Sequence, residues 1–208
     1  MSLKTTNDLH IARKIWHLLA ISLYAFVYQR VSHPMAVQLS FLFVLFCVGL
    51  DISRLNFPKL NKGVMSLLKP IARVHEEHTF AGTTFFAIGA FVIVWVFPKN
   101  VALLSLILLA FADPIASAVG LLYGKEKIFR KKTLQGSFAA LLTCALVSCL
   151  YFLVTQNMNE RLFIVSILAG FIGSFAELFT PFDIDDNFSF PITSSIGLWG
   201  LFYIFGGL

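Results

Sequence analysis

Seven apolar stretches, at residues 15–28, 35–50, 79–97, 101–122, 137–154, 162–179 and 192–205, take up more than half of this 208-residue chain. A helix needs about 20 mostly apolar residues, within a range of roughly 17–25, to cross the hydrocarbon core of a bilayer. The first, second and last stretches fall short of that range. Backbone N–H and C=O groups find no water in hydrocarbon, so each stretch must satisfy its own hydrogen bonds as a helix. The pattern predicts an all-α, polytopic integral membrane protein of about seven transmembrane helices, with residues 1–208 forming one domain. Composition agrees, with 58% hydrophobic and 13% charged residues, where a soluble domain carries about a quarter charged. A disordered chain, a secreted disulfide scaffold and an ordinary cytosolic enzyme are excluded. Cys47, Cys144 and Cys149 all lie in apolar runs and read as small core residues, not as a disulfide or zinc framework. No small-x-small cleavage site follows the first stretch, so it reads as a retained span rather than a signal peptide.

Orientation follows from the basic residues. Of 16 Lys and Arg, only Arg30, Lys99 and Arg161 fall in one set of alternate loops; the other 13, from Lys4 to Lys132, fall in the opposite set. The positive-inside rule therefore predicts a cytoplasmic N-terminus and cytoplasmic second and fourth loops. The same rule accounts for the formal net charge of +5 without a nucleic-acid partner.

Other charges need a further explanation. An ionisable residue inside a span costs a few kcal/mol or more and usually marks a site. Asp113 interrupts the fourth apolar stretch and is followed by Pro114, which removes a backbone donor. His17 stands near the start of the first stretch and Glu177 near the end of the sixth. Asp51, Arg54, Glu76, Glu77 and His78 fall on the same expected face, as does the acidic loop Asp183, Asp185, Asp186, Asn187. Lys125, Lys127, Lys131 and Lys132 are compact cations suited to phosphate. Gly120 and Gly124 read either as sites of close backbone approach to a ligand or as helix packing; Gly136 reads as permitting a tight turn into the fifth stretch. The acidic loop reads as hard oxygen ligands for Mg²⁺ or as a solvated turn. Together these groups point to one cytoplasmic-facing site for nucleotide–metal chemistry on a lipid.

The spaced motifs resemble those of the CTP-dependent lipid-alcohol kinases, the family of dolichol kinase, phytol kinase and yeast-type diacylglycerol kinase. They are Arg13-Lys14-x-x-His17, Asp51-x-x-Arg54, Arg73-x-x-Glu76 with Gly82, and Asp113-x-x-Ala116-Ser117-x-x-Gly120-x-x-x-Gly124-Lys125. Lys132-Thr133-x-x-Gly136-Ser137, Glu177 and Asp185-Asp186-Asn187-x-x-x-Pro191 complete the set. One departure is Gln135, where the family commonly has Glu. CDP-diacylglycerol synthases are similar in the Asp…Gly…Gly-Lys portion but usually end in a different acidic motif.

The resemblance implies transfer of the γ-phosphate of CTP to the hydroxyl of a membrane lipid alcohol, diacylglycerol or a polyprenol. The short element at 73–82 leans toward diacylglycerol over phytol. On this reading Lys125 and Lys132, with Arg13, Lys14, Ser117, Gly120, Gly124, Thr133 and Gly136, bind the nucleotide. Asp113, Asp186 and Asn187 hold Mg²⁺, and Asp185 or Glu177 accepts the hydroxyl proton, with His17 closing the site. The alternative is a phosphatidate cytidylyltransferase using the same nucleotide at its α-phosphate. A transporter would place polar groups toward both faces and often shows an internal repeat, and neither pattern is present.

Overall fold

The computed structural model describes residues 11–130, 132–179 and 184–208; Lys4, Lys131 and Asp183 lie outside them. Among the described residues eight α-helices run in order: α1 (Ile11–Arg30), α2 (His33–Asn56), α3 (Pro58–Leu68), α4 (Gly82–Val96), α5 (Lys99–Tyr123), α6 (Leu134–Thr155), α7 (Leu162–Leu178) and α8 (Asp186–Phe205). Short 3₁₀ turns occur at Val74–Glu77 and Asn159–Arg161, and a small antiparallel hairpin pairs β1 (Lys127–Phe129) with β2 (Lys132–Thr133). The all-α expectation holds. Each apolar stretch lies in or across a helix, and α2, α5, the helix ending at Leu178, α6 and α8 are long and apolar enough to cross a membrane. α4 has only 15 residues, and α1, which carries Arg13, Lys14 and Arg30, is not among those five. α3 is the helix that the apolar pattern did not announce.

Local chemistry sets the helix ends. Pro34 and Pro58 sit in the first turns of α2 and α3, where a missing N–H costs nothing. The Thr133 hydroxyl accepts from Gly136 N at 3.2 Å and caps α6; the Asp185 carboxylate accepts from Asn187 N at 3.0 Å and caps α8.

α5 is the central helix. Nearly every side chain from Val101 to Ala112 is buried, and the helix packs against α1, α6, α7 and α8. α4 packs against α2 and α8. Where α8 crosses α5, Ser105 Oγ donates to Pro191 O at 2.9 Å and lies 2.7 Å from Ser194 Oγ. α6 and α7 approach so closely at Gly173 that a Cβ there would stand 2.4 Å from Cys144 Sγ. The three cysteines are free, two of them buried.

Gly173→Val drives two γ-carbons into the buried thiol. The expected cost is at least about 1–3 kcal/mol, typical of an overpacked core, seen as a lower unfolding midpoint in detergent. Gly200→Ala, at a position open to its surroundings, leaves that midpoint nearly unchanged.

Candidate active site

Two cavities adjoin at the end of the bundle where α1 begins. The smaller, about 320 Å³, is bordered by Arg13, Lys14 and His17 from α1, Arg73, and Asp113, Ser117 and Gly120 from α5. Lys132, Thr133, Gly136, Glu177 and Asp186 close it. At its centre Lys132 Nζ donates to Glu177 Oε1 at 2.8 Å and to Asp186 Oδ2 at 3.0 Å. Burial works against the Lys132 charge, but Asp186, Glu177 and Asp113 outweigh it and raise its pKa above the ordinary lysine value. Lys132 is therefore an ammonium throughout the physiological range. His17 Nε2 lies 3.8 Å from Asp113 Oδ2 and 3.2 Å from Leu109 O.

Three polar side-chain atoms of residues bordering this cavity are buried without a hydrogen-bond partner among the described residues: Lys14 Nζ, Ser137 Oγ and Glu177 Oε2. An unpaired buried charge is expensive unless something charged meets it. The Lys14 ammonium thus calls for an anion, and the Glu177 oxygen for a cation or a proton donor. Among the described residues no group of three or more His, Cys, Asp or Glu side chains is already gathered as a metal-ligand set.

The glycines are explained by packing around Thr133. A Cβ at Gly136 would lie 2.9 Å from Ala116 O, at Gly120 3.0 Å from Thr133 Oγ1, and at Gly124 2.7 Å from Thr133 Cγ2. Their bareness lets the turn from β2 into α6 lie directly on the last turns of α5. Gly120 and Gly136 still border the cavity, whereas Gly124 does not. Lys125 is exposed and outside the cavity, and its backbone N donates to Gln135 Oε1 at 3.0 Å. Gln135 thus ties the segment that follows α5 to the start of α6. Asp185, besides capping α8, pairs with Arg73 and borders neither cavity. Asn187 faces away from the charged cavity: its Nδ2 donates to Gly82 O at 3.2 Å, and it borders the larger one.

That larger cavity, about 640 Å³, was not legible in the sequence. It runs along α1 from Arg13 past Trp16, Tyr24 and Tyr28, with Phe43 and Cys47 of α2, Val64 and Met65 of α3, and Phe86 of α4 around it. Arg13 and His17 border both cavities.

Its polar end is built on Asp51 and Arg54, 3% and 2% exposed. Arg54 donates from Nε to Asp51 Oδ1 at 2.6 Å and from Nη1 to Glu76 O at 2.7 Å and Asn61 Oδ1 at 3.1 Å. Its Nη2 donates to Thr79 O at 2.6 Å. Asp51 Oδ2 accepts from Ala81 N at 2.8 Å and Thr84 Oγ1 at 2.6 Å, and Glu76 Oε1 accepts from Gly82 N at 3.1 Å. The two acids satisfy N–H groups at the start of α4 that have no partner within the helix.

A sequence profile described as the cytidylyltransferase family matches residues 2–181. The chain is 32% identical to the CTP-dependent diacylglycerol kinase 1 of Eremothecium gossypii, over 89% of this chain and 65% of that protein. It is 31% identical to the Schizosaccharomyces pombe protein of that name, over 72% of this chain and 73% of that one. Identity to the Saccharomyces cerevisiae protein of that name is 30%, over 89% of this chain and 71% of that one. The chain thus spans about two thirds to three quarters of the length of these relatives. No solved structure matches it significantly.

Arg54→Ala leaves Asp51 buried without its counter-charge, and Glu76 O and Thr79 O without their donor. The expected loss is about 3–5 kcal/mol, measured as thermal unfolding in detergent. Lys59→Ala, on an exposed side chain, moves the midpoint little.

Proposed function

The chain belongs to the cytidylyltransferase family, and we propose that it is a CTP-dependent lipid kinase, transferring the γ-phosphate of CTP to the hydroxyl of a membrane lipid alcohol. The observation that carries this reading is the adjacency of a cavity rich in opposed charges to a large apolar one, with Arg13 and His17 common to both. A phosphorylated nucleotide suits the first and hydrocarbon chains the second, so the two substrates meet at the shared wall. The relatives' names favour diacylglycerol as acceptor, with a polyprenol as the other lipid alcohol. The bias of Lys and Arg among the loops supports a cytoplasmic position for this end of the bundle.

Phosphoryl transfer asks the protein mainly for positioning and charge neutralisation. Lys14, whose ammonium has no hydrogen-bond partner among the described residues, and Lys132, with Arg13, hold the phosphates. Asp113, Asp186 and Glu177 Oε2, which has no hydrogen-bond partner among the described residues, would hold Mg²⁺, whose charge when bound offsets that on the transferred phosphoryl group. Asn187, engaged by Gly82 on the apolar side, is left out of that set. A new O–P bond forms between the lipid oxygen and the γ-phosphorus as the bond to the β-phosphate oxygen breaks, and CDP leaves. The hydroxyl proton passes to His17, whose Nε2 lies 3.8 Å from Asp113 Oδ2 at the wall common to both cavities. Asp185, held by Arg73 and by the α8 cap, is not available as the base.

The family's description favours a second reading, a cytidylyltransferase acting on phosphatidate at the same charged cavity. Incubating purified protein with Mg²⁺, diacylglycerol, a polyprenol and phosphatidate, with CTP labelled at the α- or the γ-phosphorus, separates the two. Label entering lipid from the γ position is the expected result. Label entering from the α position establishes the cytidylyltransferase, and label from neither overturns both.

Asp113→Asn and Asp186→Asn are expected to lower kcat at least about 100-fold while the protein stays folded in detergent. Near-normal kcat in either removes that carboxylate from the proposed metal set. Lys14→Gln is expected to raise the KM for CTP about tenfold or more, the effect of losing one charge-assisted hydrogen bond, with a smaller change in kcat.

A further inference from the structure

α3 is unused by the chemistry above, and its composition is one-sided. Lys59 and Lys62 lie on it, Lys69 follows it, and no acidic residue occurs between Asp51 and Glu76. None of its residues is buried. Val64, Met65 and Leu68 border the 640 Å³ cavity. Phe57, Leu60 and Leu67 face away from the protein, with Phe57 64% and Leu67 82% exposed. The helix therefore has two apolar edges, one closing a cavity and one without a partner, and its lysines are exposed. It is also fixed in place, because Asn61 accepts from Arg54 Nη1 and donates to Glu77 O at 2.8 Å. That anchor sits where α2 ends and α4 begins, at the end of the bundle that bears the charged cavity.

We propose that α3 seats in the headgroup layer of an anionic phospholipid surface. Phe57, Leu60 and Leu67 enter the acyl boundary, and Lys59, Lys62 and Lys69 meet the anionic headgroups. Amphipathic helices with basic polar faces bind such surfaces in this way, and each lysine near an anionic leaflet adds to the attraction. Charge complementarity selects the partner, since the segment offers cations without acids to an inner leaflet that is anionic. α3 forms part of the cavity wall, so its seating also sets the mouth through which a lipid moves in from that leaflet. This last step rests on the kinase reading.

The test uses the full chain in nanodiscs of phosphatidylcholine, or of phosphatidylcholine mixed with phosphatidylglycerol, without nucleotide or substrate. Hydrogen exchange is followed by mass spectrometry over residues 58–68. Exchange there is expected to slow at least about tenfold in the anionic discs, and raised salt should abolish the difference. The K59Q/K62Q/K69Q variant should lose it while α5 keeps its protection. Equal exchange in the two discs, a salt-insensitive difference, or a triple variant that retains the difference would overturn the proposal. In turnover assays the triple variant should raise the KM for the lipid alcohol several-fold without raising that for CTP; an unchanged lipid KM removes the role at the mouth. Protection as expected in a protein that phosphorylates no lipid alcohol sinks the kinase reading and leaves the surface seating intact.

Discussion

A guanidinium brings five N–H donors and a permanent charge, and the bundle buries one almost completely at the foot of α2. Arg54 can be kept there only because Asp51 supplies the counter-charge and Glu76 O, Thr79 O and Asn61 supply acceptors. The two carbonyls lie on the segment between α3 and α4 and Asn61 lies on α3, so satisfying the charge also folds both back against α2. The remaining Asp51 oxygen and one oxygen of Glu76 then hold the start of α4. One charge pair thereby positions α2, α3 and α4 around a common space, and the apolar cavity is the space they enclose with α1.

The neighbouring charged cavity follows a different rule. Lys132 arrives from the hairpin and is held between Glu177 of α7 and Asp186 of α8, while α1 and α5 add Lys14, His17 and Asp113. The pairing there is incomplete, since Lys14 Nζ and Glu177 Oε2 have no partner among the described residues. The first cluster is satisfied, as a structural anchor must be. The second retains capacity for ligands of both signs, which suits a site that takes a polyphosphate together with a cation.

Much of this was readable from the chain. Helices form over every apolar stretch because hydrocarbon leaves the backbone no alternative. Asp113, His17 and Glu177 are misplaced in apolar surroundings unless they meet other polar groups, and they border or approach one cavity with Lys132 and Asp186. Direction was not readable. Successive residues of a helix point about 100° apart, so at the start of α8 the adjacent Asp185, Asp186 and Asn187 serve three destinations: Arg73, Lys132 and Gly82. Lys125 and Lys132 likewise have the same composition-level meaning, yet only the second turns inward. Gly120 and Gly124 fit a phosphate loop and a tight helix contact equally well by spacing; the close approach of Thr133 to both is visible only in the structure. The apolar cavity and α3 escaped because divergence between helices leaves no trace in hydropathy.

The hydroxyl contacts where α8 crosses α5 have a bearing on the site some two turns away. A helix that slides by one residue moves about 1.5 Å along its axis, enough to break the contacts of 2.7 and 2.9 Å between Ser105, Ser194 and the Pro191 carbonyl. Apolar side chains alone would tolerate such a slip, since lipid and leucine are chemically alike. The serines thus act as a depth gauge: they set the height at which α8 begins, and with it whether the carboxylate of Asp186 comes level with the lysine it must meet.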